Sequence, residues 1–155
     1  MNFRNTLILV GIFLVYSAPA AAAFSEQDLA RARAGTAKYH SVAAAEADGY
    51  EYIGFCEEGE GCHWEKASLV NDTIINPETP EDLVYVPTSD GGWRLVAVEY
   101  LVPVGLSPFE PEGFEGDDDI WYFEAEGPGF WEMTAWVWYH NPDGMFAKRN
   151  PRIED

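Results

Sequence analysis

The chain has 155 residues and carries 27 acidic side chains against nine basic ones, which gives a formal net charge of −18. Such a charge excludes nucleic acid and an anionic membrane surface as partners, because both would repel the protein. It favours a metal ion, a small cationic molecule or a basic protein partner, unless the acids only hydrate the surface of a protein adapted to salt water. Aromatic residues make up 15% of the chain, which is enough to build a core, so we expect a folded domain.

The first 23 residues have the three zones of a cleavable secretory signal peptide. Arg4 supplies a positive charge, residues 7–16 form an uncharged apolar run, and Ala21-Ala22-Ala23 matches the A-x-A rule of signal peptidase. The alternative is a retained membrane anchor, but a spanning helix needs roughly 20 apolar residues, about twice the length of this run. We therefore predict a single exported domain over residues 24–155, periplasmic or extracellular, with no membrane span in the mature chain.

The mature sequence opens with a helical pattern. Apolar residues recur every three or four positions, which predicts a helix from about Glu26 to Ala47 that ends at Asp48-Gly49. Residues 83–87 and 93–104 are rich in β-formers and flank a turn cluster, which predicts an antiparallel hairpin. Further strands are predicted over residues 50–55 and 130–140. One helix followed by several strands indicates an α+β fold, with the N-terminal helix packed on a curved antiparallel sheet or small barrel.

Cys56 and Cys62 are the two cysteines of the chain. In an oxidising compartment their even number and close spacing predict a disulfide that closes a small loop. The alternative is a thiol pair that binds metal together with His63, although zinc sites usually have shorter spacings and more ligands. A disulfide would hold His63 in place beside Glu65, where the imidazole could ligate a metal or act as a base. Otherwise His63 is a surface histidine in a polar loop.

Glu99 lies in the middle of an apolar β-run, where alternation places it with Leu95, Ala97 and Leu101. A carboxylate in such a strand is costly unless it is paired or binds a metal ion. The alternative is a sheet edge, where Glu99 would reach water or pair with Arg94.

The predicted last strand carries aromatic residues on both faces. Trp136 and Trp138 share one face with the terminal His140, and the two indoles could stack on a ring-bearing ligand. Alternatively both faces are buried and His140 is only a turn residue. The predicted ligand-binding residues are therefore Trp136, Trp138, Glu99 and His63. A divalent metal ion is the candidate cofactor, with His63, Glu99 and His140 as its candidate ligands. Residues 105–129, rich in glycine, proline and acids, are expected to line or cover the site. Within them, Asp117-Asp118-Asp119 is a weak calcium signal without the EF-hand pattern.

Several motifs along the mature chain resemble those of a group of small exported bacterial proteins with G-x-H-Y/W, PExLxY…LVxVEY and NPxGMFxxxNP motifs. The resemblance implies a single-domain exported protein and makes His63 and Glu99 the two polar residues embedded in its motifs, but it implies no reaction. The residues that carry it are Gly61-Cys62-His63-Trp64, Pro80-Glu81-Asp82-Leu83-Val84-Tyr85, Leu95-Val96-Ala97-Val98-Glu99-Tyr100, Trp136-Val137-Trp138-Tyr139-His140-Asn141-Pro142-Asp143-Gly144-Met145-Phe146 and Asn150-Pro151.

Three functions remain open on this sequence. The leading expectation is a non-enzymatic exported domain that binds a small ligand or a metal ion. The second is an enzyme that uses His63 and Glu99 as an acid–base pair or metal site, although the familiar hydrolase and nucleotide-binding motifs are absent. The third is an envelope protein that presents its acidic surface to a basic protein.

Overall fold

The computed structural model describes residues 22–114, 118–125, 127 and 129–153. Residues 1–21 of the predicted signal peptide, and Asp117 of the predicted calcium signal, lie outside the described residues. Within the described part of the chain, no helix combines the length and the apolar character needed to cross a bilayer.

The N-terminal helical region is broken where the sequence predicts one continuous helix. Helix α1 spans Ala22–Thr36, a short 3-10 helix spans Ala37–His40, and helix α2 spans Val42–Ala47. The break occurs where backbone groups bond to the sheet, because the Tyr85 hydroxyl donates a 2.6 Å hydrogen bond to the carbonyl of Tyr39. That carbonyl is thereby satisfied by a tertiary contact rather than by the next helical turn. The stop at Gly49 is confirmed, with a φ of 91° in the left-handed region.

The strands form one antiparallel sheet of six, which curls into a half-barrel after the helices and confirms the predicted α+β fold. The predicted hairpin is confirmed, with Pro87 opposite Trp93 at the turn. The spatial order is β1-β2-β3-β4-β6-β5. The strands are β1 Glu51–Glu57, β2 Gly61–Glu65, β3 Asp82–Pro87, β4 Trp93–Pro103, β5 Tyr122–Glu124 and β6 Phe130–Ala135.

Two strands were not predicted, and one is shorter than predicted. Strand β2 pairs with β1 across the cysteine segment, and β5 lies inside the expected loop at 105–129. Strand β6 ends at Ala135 rather than near residue 140. The backbone turns there, because the Trp136 amide donates to the Met145 carbonyl (2.9 Å) and the Val137 amide donates to the Ala135 carbonyl (2.8 Å).

The two faces of the sheet have different surroundings. One face packs against the helical region and forms the main core, which includes Leu83, Tyr85, Val98 and Tyr100. Alternation along β3 and β4 sends Asp82 and Glu99 to the opposite face. The polar residues of the strands are therefore gathered on the side away from the helices.

Candidate functional site

An open cavity of about 310 Å³ lies on the sheet face that carries Asp82 and Glu99. All six strands contribute to its lining, from Ile53 on β1 to Glu124 on β5. These two strands are opposite edges of the sheet, and in a flat six-stranded sheet the edges would be about 24 Å apart at the usual strand spacing. The curl of the sheet thus brings both edges around one cavity.

Three buried side chains on three adjacent strands converge in this cavity. His63 Nδ1 on β2 lies 3.0 Å from Asp82 Oδ2 on β3 and 3.2 Å from Glu99 Oε2 on β4. The exposed fraction of each residue is 5% or less. One potential ligand atom from each residue lies within 4.8 Å of the others. We call His63, Asp82 and Glu99 the buried triad.

The second carboxylate oxygen of Glu99 is also occupied. The Thr134 hydroxyl on β6, opposite Glu99 in the strand register, donates a 3.1 Å hydrogen bond to Glu99 Oε1. Arg94, the alternative partner considered from the sequence, instead lies 4.7 Å from the centre of the Tyr139 ring. Glu99 is therefore held from both sides inside the sheet rather than at a solvated edge.

Other buried polar atoms of the cavity lining have no hydrogen-bonding partner among the residues that the structure describes. These are His63 Nε2, Asp82 Oδ1 and Glu132 Oε1. The Phe55 ring stacks on the imidazole of His63, with ring centres 5.3 Å apart. A buried polar atom without a partner costs free energy, so these atoms are available to a ligand.

A second group of charges lies in the same cavity. Lys148 Nζ contacts Glu124 Oε1 and lies 3.9 Å from Glu60 Oε2, while Arg149 Nε donates a 2.9 Å hydrogen bond to Glu60 Oε1. Among the described residues, seven carboxyl side chains and two cationic side chains line the cavity, together with apolar residues at its rim. The carboxylates belong to Glu57, Glu60, Glu65, Asp82, Glu99, Glu124 and Glu132, the cations to His63 and Lys148, and the apolar side chains to Ile53, Phe55, Leu101 and Phe130.

Burial, and secondarily the charges of neighbouring acids, shift several pKa values in the cavity upwards. Burial raises the pKa of Glu132 to about 9, with a further contribution from the charge of Glu99 that Lys148 partly opposes. Burial also raises the pKa of Asp82, against the hydrogen bond from His63. Burial lowers the pKa of His63, but the charges and hydrogen bonds of Glu99 and Asp82 outweigh it and raise that pKa far above its usual range. Both the imidazole of His63 and the carboxyl of Glu132 therefore hold their protons more tightly than they do in water.

The structure brings together two of the residues predicted for the site, His63 and Glu99. It adds Asp82, which the sequence reasoning missed although Asp82 begins the strand that was predicted to pair with the one carrying Glu99. The sequence does show that Asp82 is an acid at the start of a hairpin strand. Which residue lies opposite it, however, depends on the register of the two strands. His140 is exposed and is absent from the cavity lining, so the predicted set His63, Glu99 and His140 does not assemble.

The two predicted tryptophans are also placed elsewhere. Trp136 is buried, and its indole N–H donates to the Ala147 carbonyl. The Trp138 indole N–H donates to the Thr36 hydroxyl on α1. Neither ring lines the cavity, because β6 ends at Ala135 and the alternation expected over residues 130–140 does not continue. The aromatic rings that line the cavity are those of Phe55 and Phe130.

The predicted disulfide between Cys56 and Cys62 is present. The two residues are opposite each other in the β1–β2 hairpin, so the bond ties the edge strand to the strand that carries His63. Because both sulfurs are in this bond, the alternative of a metal-binding thiol pair is wrong. His63 is accordingly a strand residue one position after Cys62, not a residue of a polar loop.

No family model, curated protein or solved structure matches this chain. The function is therefore inferred from the chemistry of the cavity itself.

Proposed function

We propose that the protein is an exported domain that binds a small cation in the half-barrel cavity. The observation that carries this proposal is the composition of the lining, where the described part of the chain contributes seven carboxyl side chains and two cationic ones. Export is supported by the signal-peptide pattern, by the Cys56–Cys62 disulfide and by the resemblance to small exported proteins.

A cation would relieve the electrostatic cost of this lining. Carboxylates that are crowded and buried hold protons more tightly than they do in water, and the raised pKa values of Glu132 and Asp82 have this origin. A bound cation would stabilise their ionised forms. It would also provide a partner for the buried acceptor atoms Asp82 Oδ1 and Glu132 Oε1. An anionic ligand would add to the repulsion instead.

The size and rim of the cavity limit the ligand to a small one. A volume of about 310 Å³ is at the lower end of the roughly 300–1,000 Å³ typical of small-molecule sites. Ile53, Phe55 and Phe130 present apolar surface beside the acids, which suits the methylene groups of an organic ammonium ion.

The test compares ligands that differ in charge. Thermal unfolding of the purified full chain is followed with n-hexylammonium, n-hexanol and hexanoate after metal removal with EDTA, and separately with Zn²⁺. We expect one or both cations to raise Tm, since a ligand that binds the native state stabilises it. The proposal fails if neither n-hexylammonium nor Zn²⁺ raises Tm more than hexanoate does.

Matched charge-removing variants locate the binding. Glu132→Gln removes a carboxylate of the cavity, and Glu46→Gln removes an exposed one on α2. Binding of an ammonium ion in the cavity would be weakened by the first change and not by the second. Equal effects of the two variants would show that the cation is only attracted to the overall acidic surface.

An enzyme that uses His63 and Glu99 as an acid–base pair is a second candidate, favoured by the 3.2 Å separation of the two side chains. The raised pKa of His63 opposes it, because a general acid or base works best with a pKa near the working pH. NMR titration of the His63 ring separates the two functions. A pKa between about 6 and 8 would favour the enzyme on these grounds.

The third interpretation, an acidic surface for a basic protein partner, is supported by the net charge alone. Surface ion pairing weakens with salt, whereas contacts inside the cavity are screened much less. Binding that disappears between low and high salt would therefore favour the surface over the cavity.

A further inference from the structure

We infer that the buried triad of His63, Asp82 and Glu99 is a binding site for a divalent transition-metal ion. This inference rests on the proposed cation-binding function and names the ion that the cavity would hold. The sequence pointed to His63 and Glu99 with His140; the structure replaces His140 by Asp82, on the strand between the other two.

The distances within the buried triad suit such an ion. Metal bonds to imidazole nitrogen and carboxylate oxygen are about 2.1 Å long, so neighbouring ligand atoms lie about 3.0 Å apart in octahedral and about 3.4 Å apart in tetrahedral coordination. Nδ1 of His63 lies 3.0 Å from Asp82 Oδ2 and 3.2 Å from Glu99 Oε2. Both distances from Nδ1 thus match those between neighbouring metal ligands. An ion that binds here displaces the proton of His63 Nδ1, because an imidazole binds metal in its neutral form.

The ligands are held in position before any ion binds. Each lies on a different β-strand, and the three strands β2, β3 and β4 are hydrogen-bonded neighbours. The Thr134 hydroxyl orients Glu99 by its bond to Oε1, which leaves Oε2 directed at His63. Outer hydrogen bonds of this kind are typical of metal sites, where they fix the ligand geometry.

A second observation points to a ligand at the same place. His63 is 5% exposed and Asp82 is 2% exposed, and His63 Nε2 and Asp82 Oδ1 are both buried without a hydrogen-bonding partner in the cavity lining. The contacts within the buried triad therefore do not use these two atoms. A bound ion, or a water molecule that it carries, can supply the partner that Asp82 Oδ1 lacks.

The donor set indicates the class of ion. One imidazole nitrogen and two carboxylate oxygens suit zinc, manganese, cobalt, nickel or ferrous iron. Copper(I) prefers sulfur ligands, and both cysteine sulfurs are in the disulfide. Calcium takes six to eight oxygen ligands. Three protein ligands leave positions on the ion open towards the cavity, as in exchangeable or catalytic sites rather than in closed structural ones.

The experiment uses the purified full chain, stripped of metal with EDTA and dialysed. Zn²⁺ binding is measured by calorimetry, and Co²⁺ is added as a spectroscopic probe of the ligand set. The variants Asp82→Asn and Glu99→Gln keep the shape of each side chain and remove a ligand charge. Glu46→Gln is the matched control, because it removes the charge of an exposed glutamate on α2 that is not in the cavity lining. Circular dichroism checks the fold of each variant.

We expect one Zn²⁺ per chain, a loss of affinity of at least tenfold in Asp82→Asn and in Glu99→Gln, and a change below threefold in Glu46→Gln. Visible bands of bound Co²⁺ should change in the two triad variants. The inference is overturned if the wild-type chain binds no stoichiometric Zn²⁺ or if folded triad variants bind it as tightly. If n-hexylammonium still binds the metal-free protein in that case, the proposed cation-binding function is retained and only the metal site is wrong. If neither cation binds, both are wrong.

Discussion

Asp82 lies directly opposite Glu99 in the β3–β4 pairing, so two buried carboxylates are cross-strand neighbours. The register counted from Pro87 opposite Trp93 would instead place Asp82 opposite Val98. An irregularity between Val84 and Tyr85 shifts the pairing by one residue and sets the two acids on the same face. Like charges in this position are destabilising. A cation between them, here the imidazolium of His63, compensates for that cost.

The first prediction concerns that compensation. His63→Gln removes the positive charge and leaves Asp82 and Glu99 buried beside each other. We expect a loss of about 3–5 kcal/mol in the free energy of unfolding, as found when one partner of a buried ion pair is deleted. Urea unfolding of the metal-free protein measures it. Adding Asp82→Asn to the variant should recover part of the lost stability, since it removes one of the two carboxylates that no longer have a cationic partner. A loss below about 1 kcal/mol, the usual value for exposed pairs, would contradict this account.

The second prediction concerns pH. Burial raises the pKa of Glu132 to about 9 and that of Glu81 to about 8, and the ordinary glutamate value is 4.5. A carboxyl whose folded pKa exceeds its unfolded pKa stabilises the fold fully below the unfolded value, and this contribution is lost as pH rises through the folded value. The raised pKa of His63 acts in the same direction at higher pH. The metal-free protein should therefore be less stable at pH 8 than at pH 5, with Tm lower by at least about 5 °C.

Glu132→Gln separates this effect from the general repulsion of a chain with a net charge of −18. The variant should show a smaller decrease in Tm between pH 5 and pH 8 than the wild type. The exposed control Glu46→Gln should keep the wild-type slope. A wild-type Tm that rises over this range would show that the buried acids are not the dominant titrating groups.

The third prediction concerns the hydroxyl that orients Glu99. Thr134→Val keeps the shape of the buried side chain and removes the 3.1 Å hydrogen bond to Glu99 Oε1. We expect a loss of about 1.5–3 kcal/mol in stability, as for hydrogen bonds to charged groups, and a roughly 10- to 100-fold weaker Zn²⁺ affinity. Thr134→Ser keeps the hydroxyl and should bind Zn²⁺ nearly as the wild type does. Equal Zn²⁺ affinity of the valine and serine variants would mean that the hydroxyl plays no part.

The fourth prediction concerns the disulfide. Cys56 is exposed and Cys62 is buried, so the suitable variant is Cys56→Ser with Cys62→Ala. Loss of this short cross-link should lower the free energy of unfolding by about 2 kcal/mol. Tyr52 and Phe55 on β1 are each 45% exposed, so packing alone holds this edge strand weakly. Amide exchange should therefore accelerate in β1 and stay slow in β3 and β4. An unchanged amide exchange rate in β1 would show that the disulfide is not needed to hold this strand in the wall of the cavity.

Some features of this protein follow from the sequence alone because they depend on neighbouring residues. The stop at Gly49 needs only a residue that tolerates positive φ, and the β3–β4 hairpin needs two β-rich runs around a turn cluster. The disulfide follows from two cysteines close in the chain. The charge that excludes anionic partners is a matter of composition. The proposal that the ligand is a cation begins from the same excess of acidic over basic side chains.

The buried triad was decided by the tertiary structure. Side chains alternate along a strand, so a one-residue shift in pairing moves a residue to the other face of the sheet. The irregularity in the β3–β4 pairing, which sets Asp82 beside Glu99, leaves no local trace in the sequence. The end of β6 at Ala135, fixed by hydrogen bonds to distant segments, likewise removed Trp136 and Trp138 from the predicted wall. The meeting of β1 and β5 around one cavity depends on the curl of the whole sheet, which short-range backbone preferences do not set.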